Sequence, residues 1–135
     1  MTEEEARSWL QSNYDVSRET WDRLEQFIAL LKDEMSRQNL ISKSSADQIW
    51  SRHIVDSAQL LNLTPSGNAT WLDLGTGAGF PGMVVAILTD HQVQMVESRT
   101  RRVEFLADVI NKLGLGGTAR VLVSRLEKIE AFPVD

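Results

Sequence analysis

The stretch DLGTGAGFPG, residues 73–82, constrains the fold most strongly, because it holds four of the eight glycines in this 135-residue chain. Gly75, Gly77 and Gly79 alternate directly after ATWLDL, an apolar run that predicts a buried strand. Glycine lets the backbone turn sharply and lie close to a ligand. Pro81 then suits the first turn of a helix, which GMVVAILT continues. The stretch therefore predicts a strand, a glycine loop and a helix in succession.

The segments after the glycine loop continue the alternation of strand and helix. QVQMVE (Gln92–Glu97) predicts a second strand and ARVLVS (Ala119–Ser124) a third. Between them, TRRVEFLADVINKLG predicts a helix that ends at Gly114. AFPVD predicts the start of a fourth strand. This order is typical of an α/β, Rossmann-like fold with a parallel sheet, of which strands 1–3 form the first half.

The residues before the glycine loop predict a helical lobe. Thr2 and Glu5 have the spacing of a capping box at the start of a first helix. An apolar stripe predicts a second helix from about Ser17 to Arg37; its members are Trp21, Leu24, Ile28, Leu31 and Met35. The periodicity of the apolar residues changes near LTPSGNAT, residues 63–70. We therefore expect two domains, a helical lobe at 1–62 and a ligand-binding Rossmann-like half at 63–135.

A third helix is predicted within the lobe. Ser44 or Ser45 is placed to cap it, and it runs to about Asn62. Its inward residues are Trp50, Ile54, Ala58 and Leu61. On such a helix Arg52 and Asp56 are four residues apart, so a surface ion pair beside a half-buried histidine is one interpretation of this segment.

Composition limits the classes of function. With no cysteine and two histidines, the chain has no disulfides, no thiolate nucleophile and poor means of holding a metal, so we expect no metal site. No apolar run approaches the ~20 residues that a membrane span needs. The acidic start MTEEEARSWL is unlike a signal peptide. These features predict a cytoplasmic protein with no membrane partner.

Charge is unevenly distributed along the chain. The net charge of −5 argues against strong nonspecific binding of nucleic acid. Residues 1–60 carry seven Lys and Arg against eleven Asp and Glu, whereas residues 99–125 carry six against two. The second segment therefore predicts a local basic face. On composition alone, ordinary solvated charges on a helix are the alternative.

The spacing of the glycines indicates the class of ligand. A dinucleotide loop has the pattern GxGxxG, and a phosphate-binding P-loop needs a lysine after its last glycine. Here the glycines occupy every second residue and no lysine follows. S-Adenosylmethionine carries no phosphate and fits such a loop: Asp73 offers a charge to its ammonium group, and Glu97, closing the next strand, accepts from its ribose hydroxyls. A loop that needs glycine only for steric reasons is the alternative.

Five motifs in this order resemble the bacterial RsmG/GidB family over almost the whole chain. They are NLIS (residues 39–42), RHIVDS (52–57), WLDLGTGAGFPG (71–82), VESRTRRVEFL (96–106) and SRLEKI (124–129). The resemblance implies a class I methyltransferase fold that transfers a methyl group from S-adenosylmethionine to guanine N7 of 16S ribosomal RNA. Its partner would be that RNA or the small ribosomal subunit. Guanine N7 has no proton to remove, so no catalytic residue is assigned.

The resemblance and the strand ends together give the expected site. The predicted cofactor-binding residues are Asp73, Gly75, Thr76, Gly77, Gly79, Phe80, Glu97, Ser98, Arg125, Leu126 and Glu127. The candidates for RNA contact are Arg101, Arg102, Arg125 and His53. Phe80 has two interpretations, packing beneath the methionine part of the cofactor or ordinary core. The family places RHIVDS over the mouth of the cofactor site.

The family's chain continues beyond Asp135 through the rest of the sheet. We therefore expect this chain to carry the cofactor-binding part, to be weakly active or inactive on RNA by itself, and to self-associate through the exposed edge of its first strand. A module that binds S-adenosylmethionine or its demethylated product without catalysis is the alternative. A dinucleotide-dependent oxidoreductase is a remote third class, because the third glycine comes one residue too early.

Overall fold

The computed structural model describes residues 1–64 and 67–124. Arg125, Leu126, Glu127 and the predicted fourth strand lie outside the described residues. The strands are β1 (Thr70–Leu74), β2 (Gln92–Glu97) and β3 (Ala119–Val123). The α-helices are α1 (Glu3–Asn13), α2 (Arg18–Glu34), α3 (Lys43–Ala46), α4 (Val55–Gln59), α5 (Gly82–Leu88) and α6 (Thr100–Leu113). A π-helical turn (Trp50–Ile54) precedes α4, and a 3₁₀ turn (Leu60–Leu63) follows it.

The three strands form a parallel sheet in the order β1-β2-β3. Thr70 aligns with Gln92, and Val93 aligns with Ala119. α5 connects β1 to β2 and α6 connects β2 to β3, as parallel neighbours require. The predicted Rossmann-like α/β fold with an N-terminal group of helices is confirmed. β2 has the predicted bounds, and β3 ends one residue early, at Val123.

Capping residues determine where several of the helices begin or end. Thr2 and Glu5 form the predicted capping box of α1. Ser17 caps α2 by accepting from the N–H of Thr20 at 3.2 Å. Gly114 ends α6 with φ of 69°, in the left-handed region. These three helix boundaries are therefore set by local chemistry.

The predicted third helix is wrong in its start and its continuity. Ser42, rather than Ser44 or Ser45, caps α3, and its hydroxyl accepts from the N–H of Ser45. The helix then breaks, because Glu3 of α1 accepts from the N–H groups of Trp50 and Ser51 at 2.9 and 2.8 Å, where the π-helical turn begins. This contact joins residues 47 apart, so local periodicity does not reveal it.

The core is continuous between the helices and the sheet. The largest fully buried side chains include Leu24 and Phe27 of α2, Met83 of α5, Met95 of β2 and Leu106 of α6. They belong to one buried cluster. In the predicted stripe of α2, Leu24, Ile28 and Leu31 are buried, whereas Trp21 and Met35 are half-buried. α2 therefore packs beside α5 and α6, next to the glycine loop.

Within residues 1–64 and 67–124, no helix is both long enough and apolar enough to cross a membrane.

Candidate functional site

The glycine loop, residues 75–81, joins β1 to α5 and folds onto the end of β2. The N–H groups of Gly75 and Thr76 donate to the carbonyl of Val96 at 2.8 and 3.2 Å. Gly75, Gly77 and Gly79 have φ angles of 69°, 58° and 108°. Residues with a side chain rarely adopt such positive values. The alternating glycines are thus required by the backbone.

The three alternating glycines face different surroundings. A Cβ at Gly79 would lie 3.1 Å from side-chain atoms of Leu106 and Met83, so this glycine is packed against the core. A Cβ at Gly75 would meet nothing within 4 Å. At Gly77 it would meet only the guanidinium of Arg102, at 4.0 Å. The loop is therefore anchored at Gly79 and presents open backbone at Gly75 and Gly77.

Asp73, near the end of β1, holds the glycine loop from below. Its Oδ2 accepts from the hydroxyl of Thr76 at 2.6 Å and from the N–H of Gly82 at 2.9 Å. Burial raises the pKa of the Asp73 carboxyl, the two hydrogen bonds oppose that rise, and the charge of Glu97 adds to it. Oδ1 has no hydrogen-bond partner in the described part of the chain. One oxygen thus orders the loop, and the other is open to a ligand.

Glu97, the last residue of β2, is 5% exposed and bridges two segments. Its Oε1 accepts from the N–H of Gly77 at 3.0 Å, and its Oε2 accepts from the N–H of Arg99 at 2.9 Å. Arg99 precedes α6, so the carboxylate lies at the positive end of that helix dipole. Each carboxylate oxygen retains a second lone pair for a ligand.

Phe80 connects the glycine loop to the N-terminal helices. Its ring stacks on His53 with centroids 4.6 Å apart and packs against Phe27 at 5.5 Å. Both neighbours belong to the helical region, so Phe80 is half-buried between it and the loop. Burial lowers the pKa of His53, and the ring is therefore neutral at pH 7. The Nε2 atom of His53 is buried without a hydrogen-bond partner among the described residues.

The π-helical turn determines where His53 lies. In a regular helix Arg52 and Asp56 would face each other, but the wider turn changes that angle, and no ion pair forms between them. The expectation of a surface ion pair here is wrong, whereas the histidine is half-buried as expected. The turn places His53 against the loop residue Phe80.

The structure brings together eight of the predicted cofactor-binding residues at the carboxyl ends of β1 and β2. They are Asp73, Gly75, Thr76, Gly77, Gly79, Phe80, Glu97 and Ser98. Ser124 follows β3, and its N–H donates to the carbonyl of Glu97, so the third strand ends beside the same edge. Arg125, Leu126 and Glu127 lie outside the described residues.

The RNA-contact candidates Arg101 and Arg102 lie in the first turn of α6. Arg101 donates to the carbonyl of Arg37, and Arg102 donates to that of Asn39 at 3.2 Å. His53 lies apart from them, against Phe80. Arg37 was not predicted as a site residue, because it comes more than 60 positions earlier and only the fold brings it beside Arg101.

Among the described residues, no three side chains of His, Cys, Asp or Glu are grouped so as to hold a metal ion.

Comparison with known proteins gives a family assignment and a likeness of fold. The family described as "GidB: rRNA small subunit methyltransferase G" matches residues 20–135. A solved structure, the [4+2]-cyclase SpnF, superposes with a TM-score of 0.54 and is 14% identical over 87% of this chain and 46% of its own. That likeness concerns the fold alone.

Two relatives named "Ribosomal RNA small subunit methyltransferase G" match the whole chain. The protein of Rhizorhabdus wittichii is 48% identical over 100% of this chain and 62% of its own length. The protein of Zymomonas mobilis is 49% identical over 100% of this chain and 64% of its own length. This chain thus spans somewhat less than two thirds of each relative. With its glycine loop and the two strand-end carboxylates in one Rossmann-like unit, the chain belongs to the GidB family, rRNA small subunit methyltransferase G.

Proposed function

We propose that this chain binds S-adenosylmethionine across the carboxyl ends of β1 and β2, for transfer of its methyl group to N7 of a guanine in 16S ribosomal RNA. The observation that carries the proposal is the open backbone at Gly75 and Gly77, bounded by the carboxylates of Asp73 and Glu97. Membership of the GidB family supports the class of reaction.

The residues present fit this cofactor by size and charge. Gly75 and Gly77 leave room for a ligand to lie against the main chain, since a Cβ there would meet open space or only Arg102. The free Oδ1 of Asp73 suits an ammonium group, and a bound cation would lower the raised pKa of this carboxyl. The second lone pairs of the Glu97 oxygens suit two neighbouring ribose hydroxyls.

The proposed methyl transfer requires that the two reactants be oriented, and it requires little proton transfer. The cofactor supplies an electrophilic methyl group on a sulfonium. Guanine N7 has an exposed lone pair and no proton, so the chain's residues need only hold the two reactants in line.

The first test is calorimetric titration of the chain with S-adenosylhomocysteine. We expect saturable binding by the unaltered chain and its loss in Gly77→Asp, because an added carboxylate would enter the open space beside Glu97 and repel it. Gly114→Asp is the matched control, since Gly114 also has a positive φ, of 69°, and a Cβ there meets nothing within 4 Å. Absence of binding by the unaltered folded chain would refute the cofactor assignment.

A second test separates an enzyme from a binding module. The chain is incubated with small ribosomal subunits and S-adenosylmethionine labelled on its methyl group. N7-methylguanine is then located by reduction and aniline cleavage. Transfer to a single guanine would establish the methyltransferase. Cofactor binding without transfer would instead establish a cofactor-holding module, the second candidate.

A further inference from the structure

Glu3, the first residue of α1, holds the start of the π-helical turn through both of its carboxylate oxygens. Oε1 accepts from the N–H of Trp50 at 2.9 Å, and Oε2 accepts from the N–H of Ser51 at 2.8 Å. In a continuous α-helix these two N–H groups would instead donate to the carbonyls four residues earlier. Glu3 thus provides acceptors for two backbone donors at the point where the helix is interrupted.

Arg7, one turn after Glu3 on α1, contacts the side chain of the same residue. Its guanidinium lies 4.6 Å from the ring centroid of Trp50, which is buried. An ion pair joins Arg7 to Glu25 of α2. The ring of Trp50 also packs on Trp21 of α2, with centroids 5.4 Å apart. The first residue of the turn is therefore held by its backbone and by its ring, in a fixed position relative to α1 and α2.

The wider turn determines which way His53 faces. The N–H of Val55 donates to the carbonyl of Trp50, five residues earlier, as in a π-helix. A regular helix would rotate the residues after the turn by about 100° relative to those before it. The π-helical turn therefore lets Trp50 face α1 and α2 while the His53 ring stacks on Phe80, with 21° between the ring planes.

Phe80 carries the effect of this turn into the glycine loop. It lies three residues after Gly77, whose backbone is open to the proposed cofactor. The rings of His53 and Phe27 both pack on Phe80, so a displaced His53 would leave a space beside it. Packed groups move partly into such a space. The position of the loop therefore depends on that of His53.

We propose that Glu3 is a positioning residue for the cofactor site. It holds the π-helical turn so that His53 keeps Phe80 and the glycine loop in the conformation that binds S-adenosylmethionine. The proposal rests on the proposed function and adds a residue outside the loop and the strand ends. The segment also has a second arrangement to adopt without Glu3, because a continuous helix would bring Arg52 and Asp56 together as an ion pair.

The first test needs no ligand and follows the rings of the two histidines, His53 and His91, by ¹H–¹³C NMR. Stacking on Phe80 shifts the ring protons of His53 upfield, and Phe80→Leu identifies that effect. His91, just before β2, is the internal reference. We expect Glu3→Ala to move the His53 signals downfield, toward their position in Phe80→Leu, because the turn that holds the ring is released.

Glu4→Ala is the matched control for Glu3→Ala. Glu4 is the next residue in the first turn of α1, is exposed, and makes no hydrogen bond or ion pair with any described residue. Both substitutions remove one carboxylate at the positive end of the same helix dipole, so their general effects on α1 are alike. Glu3→Gln is a milder variant, which keeps the side chain's size and one acceptor and should give a smaller shift. Melting curves identify a temperature at which each variant is folded.

The second test titrates the folded variants with S-adenosylhomocysteine. We expect Glu3→Ala to bind about 3- to 10-fold more weakly than the unaltered chain, and Glu4→Ala to bind like it. A double-mutant cycle tests the route: in a chain that carries His53→Ala, Glu3→Ala should cause no further loss of affinity. A purely structural role of Glu3 would lower the melting temperature without this dependence on His53.

The outcomes separate this proposal from the proposed function. An unchanged affinity in Glu3→Ala, or an equal loss with and without His53→Ala, would overturn the positioning role. His53 signals that stay in place in Glu3→Ala would also overturn it, because the turn would then keep its shape without Glu3. Absence of binding by the unaltered folded chain would refute the proposed function, and the positioning role with it, even if Glu3→Ala moves the His53 signals.

Discussion

Glu97 accepts the N–H of Gly77 at 3.0 Å and so fastens the end of β2 to the glycine loop that follows β1. Its other oxygen fastens the start of α6 through the N–H of Arg99. The carboxylate that we propose for the ribose is therefore also the group that orders the loop. A substitution of Glu97 is therefore expected to affect both the structure of the loop and the binding of a ligand.

Glu97→Gln should weaken both folding and binding. Glutamine offers one carbonyl oxygen, so its NH₂ would face either Gly77 or Arg99, where an acceptor is needed. We expect the free energy of unfolding to fall by about 1–3 kcal/mol. Urea denaturation measures this, and Glu104→Gln, at an exposed position of α6, is the control. An unchanged free energy of unfolding would show that the bridge does not form in solution.

Asp73→Asn should separate ligand binding from loop structure. The amide oxygen replaces Oδ2 as acceptor for Thr76 and Gly82, whereas the charge offered by Oδ1 is removed. We expect little change in the free energy of unfolding and about 10- to 100-fold weaker binding of S-adenosylhomocysteine, the effect of removing one charged hydrogen bond. Asp73→Ala should weaken both folding and binding. Equal cofactor affinity in Asp73→Asn and the unaltered chain would argue against the ammonium contact.

His53 should make folding sensitive to pH. Burial lowers its pKa in the folded state, so below about pH 6.5 the unfolded chain binds a proton that the folded chain binds less readily. The free energy of unfolding should therefore fall as the pH decreases from about 7 to 5. His53→Phe keeps a ring against Phe80 and should show a smaller fall. Denaturation at several pH values checks this, and identical pH profiles would exclude the histidine as the cause.

Gly82→Ala should destabilise the fold despite the better helix propensity of alanine. A Cβ at this first residue of α5 would lie 2.6 Å from Cγ of Met95 and 2.8 Å from Oδ2 of Asp73. We expect a loss of about 1–3 kcal/mol in the free energy of unfolding, typical of overpacking. Gly117→Ala, where a Cβ meets nothing within 4 Å, should have little effect. Comparable stability of the two variants would contradict the close packing under the loop.

Self-association through β1 stays a prediction and has a direct test. Within the described residues β1 pairs with β2 alone, and Leu74 at its end is 51% exposed. Leu74→Lys should reduce concentration-dependent association in sedimentation velocity, because a charge blunts a strand edge. Val123→Lys, at the end of β3 with 60% exposure, is the control. An equal reduction in both variants would indicate a general hydrophobic effect.

Local signals predicted most of the fold, and long-range contacts explain the failures. Thr2, Ser17 and Gly114 act within one turn of their own helices, so their patterns could be read directly. The break between α3 and α4 depends on Glu3, which reaches Trp50 from another helix. No periodicity within the segment records that contact, and a continuous helix was predicted.

In the candidate site, too, local features could be predicted from the sequence and long-range contacts could not. The loop glycines and the strand-end acids directly follow or end their strands, so the sequence could predict where they lie in the fold. The hydrogen bonds of Asp73 and Glu97 to the loop itself required the structure, since nothing in the pattern distinguishes a ligand-facing carboxylate from a loop-holding one. The pairing of Arg37 with Arg101 likewise arises only when α2 packs beside α6.

The packing of Phe80 between Phe27 and His53 limits how this sequence can be recombined with those of its relatives. A chimera with a crossover near residue 65 would take the loop ring from one parent and its two partners from the other. Only parents with compatible residues at these three positions would give a well-packed junction. In library design, the glycine loop, α2 and the π-helical turn should therefore be inherited as one block.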